Sequence, residues 1–296
     1  MKTHFLTLII TSTLLMTGCI ANLRPTIVKK NPNSTELETK GREILKKAHI
    51  AHGVDNMLKH EVYQFDATDD WKGMMGSMGK LWPEKNTQMK FKYAVNTFDA
   101  QVKFMSGEQK GNSVGVQSWQ LYEGEGENAN FDIKENKRYS FGMAAFQYFT
   151  EVVNRMENAS IVRYGGEKEF NGKQYDLVYV TCNDEKPSKD VDQYLLYIDK
   201  ITHMLDYASF TLRDNYLKIP GSSMLYGSIG FSDYRNIDGY LVPFVQTLFT
   251  IKPKKNNNKY LHQLKLTSFD FDDFNRSELY PNKSIESIGD NKRSKN

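Results

Sequence analysis

The run Tyr194-Leu-Leu-Tyr-Ile-Asp-Lys-Ile-Thr202, His203-Met-Leu-Asp-Tyr-Ala-Ser-Phe-Thr-Leu-Arg213 decides the fold, together with its continuation past a Pro220-Gly221 break. That continuation is Gly227–Arg235, the turn Ile237-Asp-Gly239, and Tyr240-Leu-Val-Pro-Phe-Val-Gln-Thr-Leu-Phe-Thr-Ile251. Aromatic and β-branched residues fill the segments, and polar residues or Gly sit between them, which is the pattern of hairpins joined by short turns. Leu241–Ile251 is apolar on both faces, with Phe244 and Leu248 on one and Val245, Phe249 and Ile251 on the other. A central strand covered on both sides has this composition.

Outward from the meander, Ser160–Phe170 and Lys173–Thr181 flank Asn171-Gly172, a dipeptide suited to positive φ at both turn positions. Glu61–Thr68, Gln88–Phe104 and Ser113–Glu123 alternate as strands, and Tyr260–Phe271 is the last of them. Two segments have helical spacing. Glu38–His52 carries the stripe Ile44, Leu45, Ala48, His52, with Thr39 as N-cap and Gly53 as stop. Phe141–Met156 is more apolar and needs cover on more than one side. Strands and helices do not alternate regularly, so a parallel sheet is excluded. The expected fold is mainly β (α+β), a single long curved antiparallel sheet of about ten to twelve strands, an open half-barrel with two helices on its concave side.

Composition narrows the function. The 296 residues carry a net charge of +3, which implies no strong field for nucleic acid. Lys252, Lys254, Lys255 and Lys259 read as a solvated hairpin tip. With 39% hydrophobic residues, 17 Tyr and 17 Phe, the chain can fill a large core. Its two cysteines are Cys19 and Cys182. Cys182, at the end of a strand without a basic neighbour, is expected to be a buried or half-buried structural thiol.

Residues 1–18 read as a signal peptide: Lys2 and His4, then an apolar run Phe5–Met16 too short to span a bilayer permanently. Met16-Thr-Gly-Cys19 resembles a bacterial lipobox, with Met where Leu is usual. The resemblance implies an acylated Cys19 (palmitate among its chains) and stable anchoring by more than one chain. Ile20 follows instead of the Asp associated with inner-membrane retention, and no acidic cluster comes next. The expected address is therefore the cell envelope, at the periplasmic face of the outer membrane. Residues 19–37 are expected to be a flexible tether, 38–275 the half-barrel domain, and 276–296 a disordered polar tail.

Tyr197-Ile-Asp-Lys200 with Thr202, the strand to Arg213, and Phe231-Ser-Asp-Tyr-Arg-Asn-Ile-Asp-Gly-Tyr-Leu-Val-Pro-Phe244 form a pattern behind the helix Glu38–His52. That pattern resembles the LolA/LolB-like outer-membrane lipoprotein-carrier superfamily. The likeness runs architecturally from Glu38 to Phe271, and its motif describes hairpins, not chemistry. It implies an apolar concavity closed by helices and the binding of lipid, an acyl chain or another apolar ligand, without catalysis or cofactor.

The candidate ligand residues begin in Trp71-Lys-Gly-Met-Met-Gly-Ser-Met-Gly-Lys-Leu-Trp82. Gly every three residues weakens a helix, so a mobile loop is expected. Trp71, Met74, Met75, Met78 and Trp82 suit an adaptable apolar lip over a cavity, or else tuck into the core. Trp119, Tyr148 and Phe149 complete the set. His49, His52 and His60 lack a metal-ligand pattern and read as surface or helix-end residues, and Asp270-Phe-Asp-Asp273 lacks calcium-loop spacing. Met75-Gly-Ser77-Met-Gly79 and Tyr226-Gly-Ser228-Ile-Gly230 each miss the first Gly of a hydrolase elbow. An enzyme would need His203 or His262 within reach of a carboxylate in a cleft. The expected protein is a monomeric, non-catalytic carrier or binder. The alternative is an adaptor for another envelope protein, its cavity filled by its own side chains.

Overall fold

The computed structural model describes residues 20–213, 224–250 and 259–289. Cys19, the Pro220-Gly221 break and Lys252, Lys254 and Lys255 lie outside the described residues. The sheet is a single antiparallel one. Its first half comprises β1 (Val62–Trp71), β2 (Asn86–Ala94), β3 (Ala100–Phe104), β4 (Ser113–Gln117) and β5 (Gln120–Glu123). The second half comprises β6 (Ile161–Phe170), β7 (Lys173–Thr181), β8 (Tyr194–Asp199), β9 (Leu205–Thr211), β10 (Tyr226–Ile237), β11 (Tyr240–Thr250) and β12 (His262–Leu266). The order is β5-β4-β3-β2-β1-β12-β11-β10-β9-β8-β7-β6, and β13 (Asp270–Phe271) pairs with β1 as the thirteenth strand. The sheet stays open, since β5 and β6 end the order and do not pair with each other. The expected half-barrel is therefore the observed fold.

Alternation sets the inner face. Tyr63, Phe65 and Ala67 of β1 lie opposite Tyr93, Phe91 and Met89 of β2, and Phe91 and Met89 lie opposite Val102 and Phe104 of β3. All are buried. The rings of Phe65 and Phe91 stack at 4.8 Å and those of Tyr63 and Tyr93 meet at 5.3 Å. The intervening residues, Asp66, Lys90, Lys92 and Lys103 among them, face the other side and pair there, as Lys92 does with Glu278 at 2.6 Å.

Among the described residues six α-helices stand where two were expected. α2 (Thr35–His52) starts three residues early, because the Ser34 side chain, not Thr39, caps it by accepting from Leu37 N–H. It lies directly on the backbone of β6. A Cβ at Gly41 would stand 2.8 Å from the Tyr164 nitrogen, so only glycine permits this approach. Arg163 then clamps the crossing, 3.0 Å from Glu38 and 2.9 Å from the buried Glu185. α3 (Val54–Met57) follows the left-handed Gly53. The expected helix Phe141–Met156 is two, α5 (Lys137–Thr150) and α6 (Val152–Glu157), broken at Glu151 (φ −100°, ψ 17°).

Both ends of the domain differ from expectation. Of the expected tether 19–37, the described residues 20–37 are docked, because α1 (Thr26–Lys30) packs on β6 through the fully buried Val28. Ahead of it Leu23 N–H donates to Gln193 Oε1 at 2.9 Å, and Arg213 donates to the Ala21 carbonyl at 3.0 Å. Residues 276–289 are docked as well. A 3-10 turn at Arg276–Leu279, capped by Asn275, buries Leu279. Beyond it Tyr280 Oη donates to Asp99 at 2.9 Å and Gly289 N–H to the same carboxylate at 3.0 Å.

His52 gives the fold a signed response to acid. Its ring is buried, and Leu205 N–H donates to Nε2 at 3.0 Å, which keeps the imidazole neutral. Burial, offset in part by a hydrogen bond to the Leu241 backbone, lowers its pKa from 6.5 to about 4. The unfolded chain takes up a proton below 6.5 that the folded chain refuses. Stability should therefore fall between about pH 6.5 and about pH 4, by on the order of 3 kcal/mol for this group. His49 acts oppositely. Burial works against its charge, but hydrogen bonds to Asp55 and Glu157 outweigh that and raise its pKa. Its contribution is full below 6.5 and is lost at higher pH. Urea midpoints at pH 7 and pH 4.5 should lie closer together in His52→Gln than in the parent, and an unchanged gap would refute the assignment.

Candidate functional site

The concave face is mostly closed by the chain's own residues. Met143 and Phe146 of α5 and Val152, Val153 and Met156 of α6 are buried in one continuous core with the aromatic inner face of the sheet. An opening remains where α5 passes β8 and β9. Phe98, Phe141, Ala144, Ala145, Tyr148, Phe149, Tyr194 and Phe210 line a groove of about 140 Å³, and Asp192, Thr211 and Leu212 lie at its sheet end.

Aromatic stacking shapes this groove. Tyr148 lies parallel to Phe98 (6.5 Å, 7°) and to Tyr194 (5.6 Å, 25°), and Phe149 leans on Phe210 at 5.0 Å. Most of these rings are only half-buried, whereas those deeper in the sheet are closed off. The Arg155 guanidinium stands 4.0 Å from the Phe98 ring centroid and 5.7 Å from that of Tyr148, bracing the shelf from below. Burial, against a hydrogen bond with Tyr194, pushes the Tyr148 phenol up to about 12, so it remains a neutral hydroxyl at physiological pH. At the sheet end Asp192 accepts from the Thr211 hydroxyl at 2.9 Å and from Arg213 N–H at 3.0 Å. Such a site can hold an apolar group by contact.

Of the sequence candidates, Tyr148 and Phe149 line the groove and Trp119 touches it through Phe98, 5.0 Å away. The Trp71–Trp82 segment lies elsewhere and is not a loop. α4 (Gly73–Gly79) can lie flat on the strand end because Gly76 has no Cβ, which would stand 3.0 Å from the Trp71 carbonyl carbon. Trp71 and Trp82 turn inward, 5% and 2% exposed, while Met74, Met75 and Met78 turn outward at 77%, 49% and 47%. Sequence reasoning missed Phe98, Phe141, Ala144, Ala145, Tyr194 and Phe210. The adjacent alanines on an aromatic helix were the one available signal of a gap.

The geometry required of an enzyme is met only in part. His262 Nε2 does bond Asp69 Oδ1, and Trp71 Nε1–H donates to the other carboxylate oxygen at 2.5 Å. However, Asp69 is fully buried, Trp71 covers the imidazole at 4.3 Å and Phe146 stacks on it at 5.6 Å. The pair belongs to the core. Ser77 donates to the Gly73 carbonyl within α4, and Ser228 shares a hydrogen bond with Ser209. His49 lies between Glu157 and Asp55, and His60 bonds Asp272 at 2.6 Å. Among the described residues no group of three or more His, Cys, Asp or Glu is placed to hold a metal ion, and no helix is long and apolar enough to cross a membrane. Cys182, expected to be covered, is exposed.

No family model and no curated protein matches the chain. Among solved structures it is similar to a DUF1329 family protein from Desulfovibrio piger, at 12% identity over 84% of this chain and 98% of that one, with a TM-score of 0.52. It is also similar to a LolA superfamily protein from Nitrosomonas europaea, at 12% identity over 79% and 94%, with a TM-score of 0.47. The likeness to the DUF1329 family protein is one of fold, and at this identity it reaches no further.

Proposed function

We propose that the protein is a non-catalytic, lipid-anchored envelope protein that takes the end of an acyl chain, or another apolar group, into the groove between α5 and β8–β9. The carrying observation is that groove, an apolar gap of about 140 Å³ with half-buried rings around two alanines, in a concave face mostly closed by the chain's own residues. Its volume is below the roughly 300–1,000 Å³ of drug-sized sites and near the roughly 150 Å³ of an engineered cavity that binds benzene. The occupant is therefore one end of a chain, with the rest lying across the surface. Acylation of Cys19, attachment at the periplasmic face of the outer membrane and a monomeric state belong to the same reading.

Filling the gap tests it. Ala145→Phe should reduce binding of a fluorescent naphthylamine probe by about tenfold or more, the equivalent of about 1.4 kcal/mol, with the thermal midpoint little changed. Undiminished probe binding in that variant would refute the groove. A second reading, an adaptor that binds another envelope protein, is favoured by the packed concave face. Under it, native mass spectrometry of membrane-purified protein shows no co-purifying lipid.

A further inference from the structure

The short path from Cys19 to the folded domain carries an orientation. Ala21 is already fixed by Arg213 and Leu23 by Gln193, so only one residue separates Cys19 from a bonded position. Two residues of extended chain reach at most about 7 Å. Whatever surrounds Ala21 must then lie against the bilayer in which the acyl chains of Cys19 sit. This step rests on the acylation proposed above.

The surroundings of Ala21 are one rim of the sheet. Arg213 and Leu212 directly follow β9, and Thr211 pairs with Tyr226, which places the exposed Met224 and Leu225 beside them (51% and 48%). The same row of strand ends continues through Gly227 with Thr250, Leu248 with His262, and His262 with Trp71. It reaches α4 and its three outward methionines four strand spacings away, roughly 19 Å. The groove reaches this row at Thr211 and Leu212. The opposite rim carries the β8–β9 turn, where Ile201 is 89% exposed, and the Asn171-Gly172 and Asp238-Gly239 turns.

We propose that the rim formed by Ala21–Leu23, Leu212, Met224-Leu225 and α4 rests on the lipid bilayer, so that the groove opens at the membrane surface and its ligand enters from the lipid. Isolated exposed apolar residues need no explanation, but two beside the anchor point and three more along the same rim form a contact surface. Methionine side chains adapt to an irregular acyl boundary.

With Cys19 acylated, the exposed Cys182, just beyond β7 on this rim, is the one thiol left to label. The lipidated full-length protein is reconstituted into phosphatidylethanolamine–phosphatidylglycerol vesicles containing doxyl-labelled lipid, with a nitrobenzoxadiazole dye on Cys182. A Cys182→Ser, Ile201→Cys protein carries the dye on the opposite rim. Quenching at 182 well above that at 201 is the expected result. Equal or greater quenching at 201 overturns the orientation. So does quenching at neither position in protein that floats with the vesicles and whose N-terminal peptide has the acylated mass. An unmodified Cys19 in that peptide overturns the anchor itself, and the orientation with it.

Discussion

Replacing Arg155 by Ala is expected to cost about 3–5 kcal/mol of folding stability, because it removes the cation and leaves the anion buried. Glu151 and Arg155 side chains are 0% and 1% exposed and meet at 2.8 Å. Glu151 Oε1 accepts from Tyr63 Oη at 3.2 Å, Asn96 N–H at 3.2 Å and Gln147 Nε2 at 2.9 Å, and Arg155 donates to the Thr97 carbonyl at 2.6 Å. The pair therefore ties the α5–α6 break to β1 and to the β2–β3 turn. With Arg155 gone, a carboxylate deep in the core keeps only neutral donors. Changing both partners, Glu151→Gln with Arg155→Met, should recover much of the loss, since an uncharged pair escapes the desolvation penalty and the Gln carbonyl can still accept a hydrogen bond. Urea midpoints at unchanged slope give both quantities. A loss below about 1 kcal/mol for Arg155→Ala, or a double variant no better than the single, would show that the pair does not hold this junction.

The same junction shows where the sequence stops being readable. Strands were legible because residues such as Phe65, Ala67, Phe91 and Tyr93 alternate with polar ones, and because Asn171-Gly172 fixes a turn by its backbone preference alone. The break at Glu151 was not, because Glu151 is held by Tyr63 and Asn96, and Arg155 by Thr97, all far away in the chain. Hydrophobic period reports which face is buried. It does not report which buried carboxylate finds a partner. The docked ends failed for a related reason, since single polar residues such as Gln193 and Asp99 hold them through backbone groups, without any repeating pattern. In α4 low helix propensity gave a loop, but Gly76 made the close contact that a better helix former would have blocked. The groove was half legible: large rings such as Tyr148 and Phe149 advertise themselves, whereas Ala144 and Ala145 mark a cavity by what they lack.

Trp82→Ala should destabilise the protein by about 3–5 kcal/mol, the range for truncating a buried aromatic side chain. Its ring lies among Tyr139, Phe104, Phe91 and Phe146, with centroids 5.5–6.1 Å away, so the deletion opens a gap between α5 and β2–β3 that rigid rings cannot refill. The indole nitrogen is buried and meets no acceptor among the described residues. Trp82→Phe loses volume without losing a hydrogen bond, and should cost clearly less than the alanine change. Substituting Met74, Met75 and Met78 together by Ser should leave the urea midpoint nearly unchanged, within about 0.5 kcal/mol per site, as for exposed positions generally. It should weaken attachment of the unlipidated domain to vesicles instead. One twelve-residue stretch thus divides into a part that holds the core and a part free to meet a membrane. A Trp82→Ala protein as stable as its parent, or a triple Ser variant that unfolds early, would reverse that division and make the methionines the structural half.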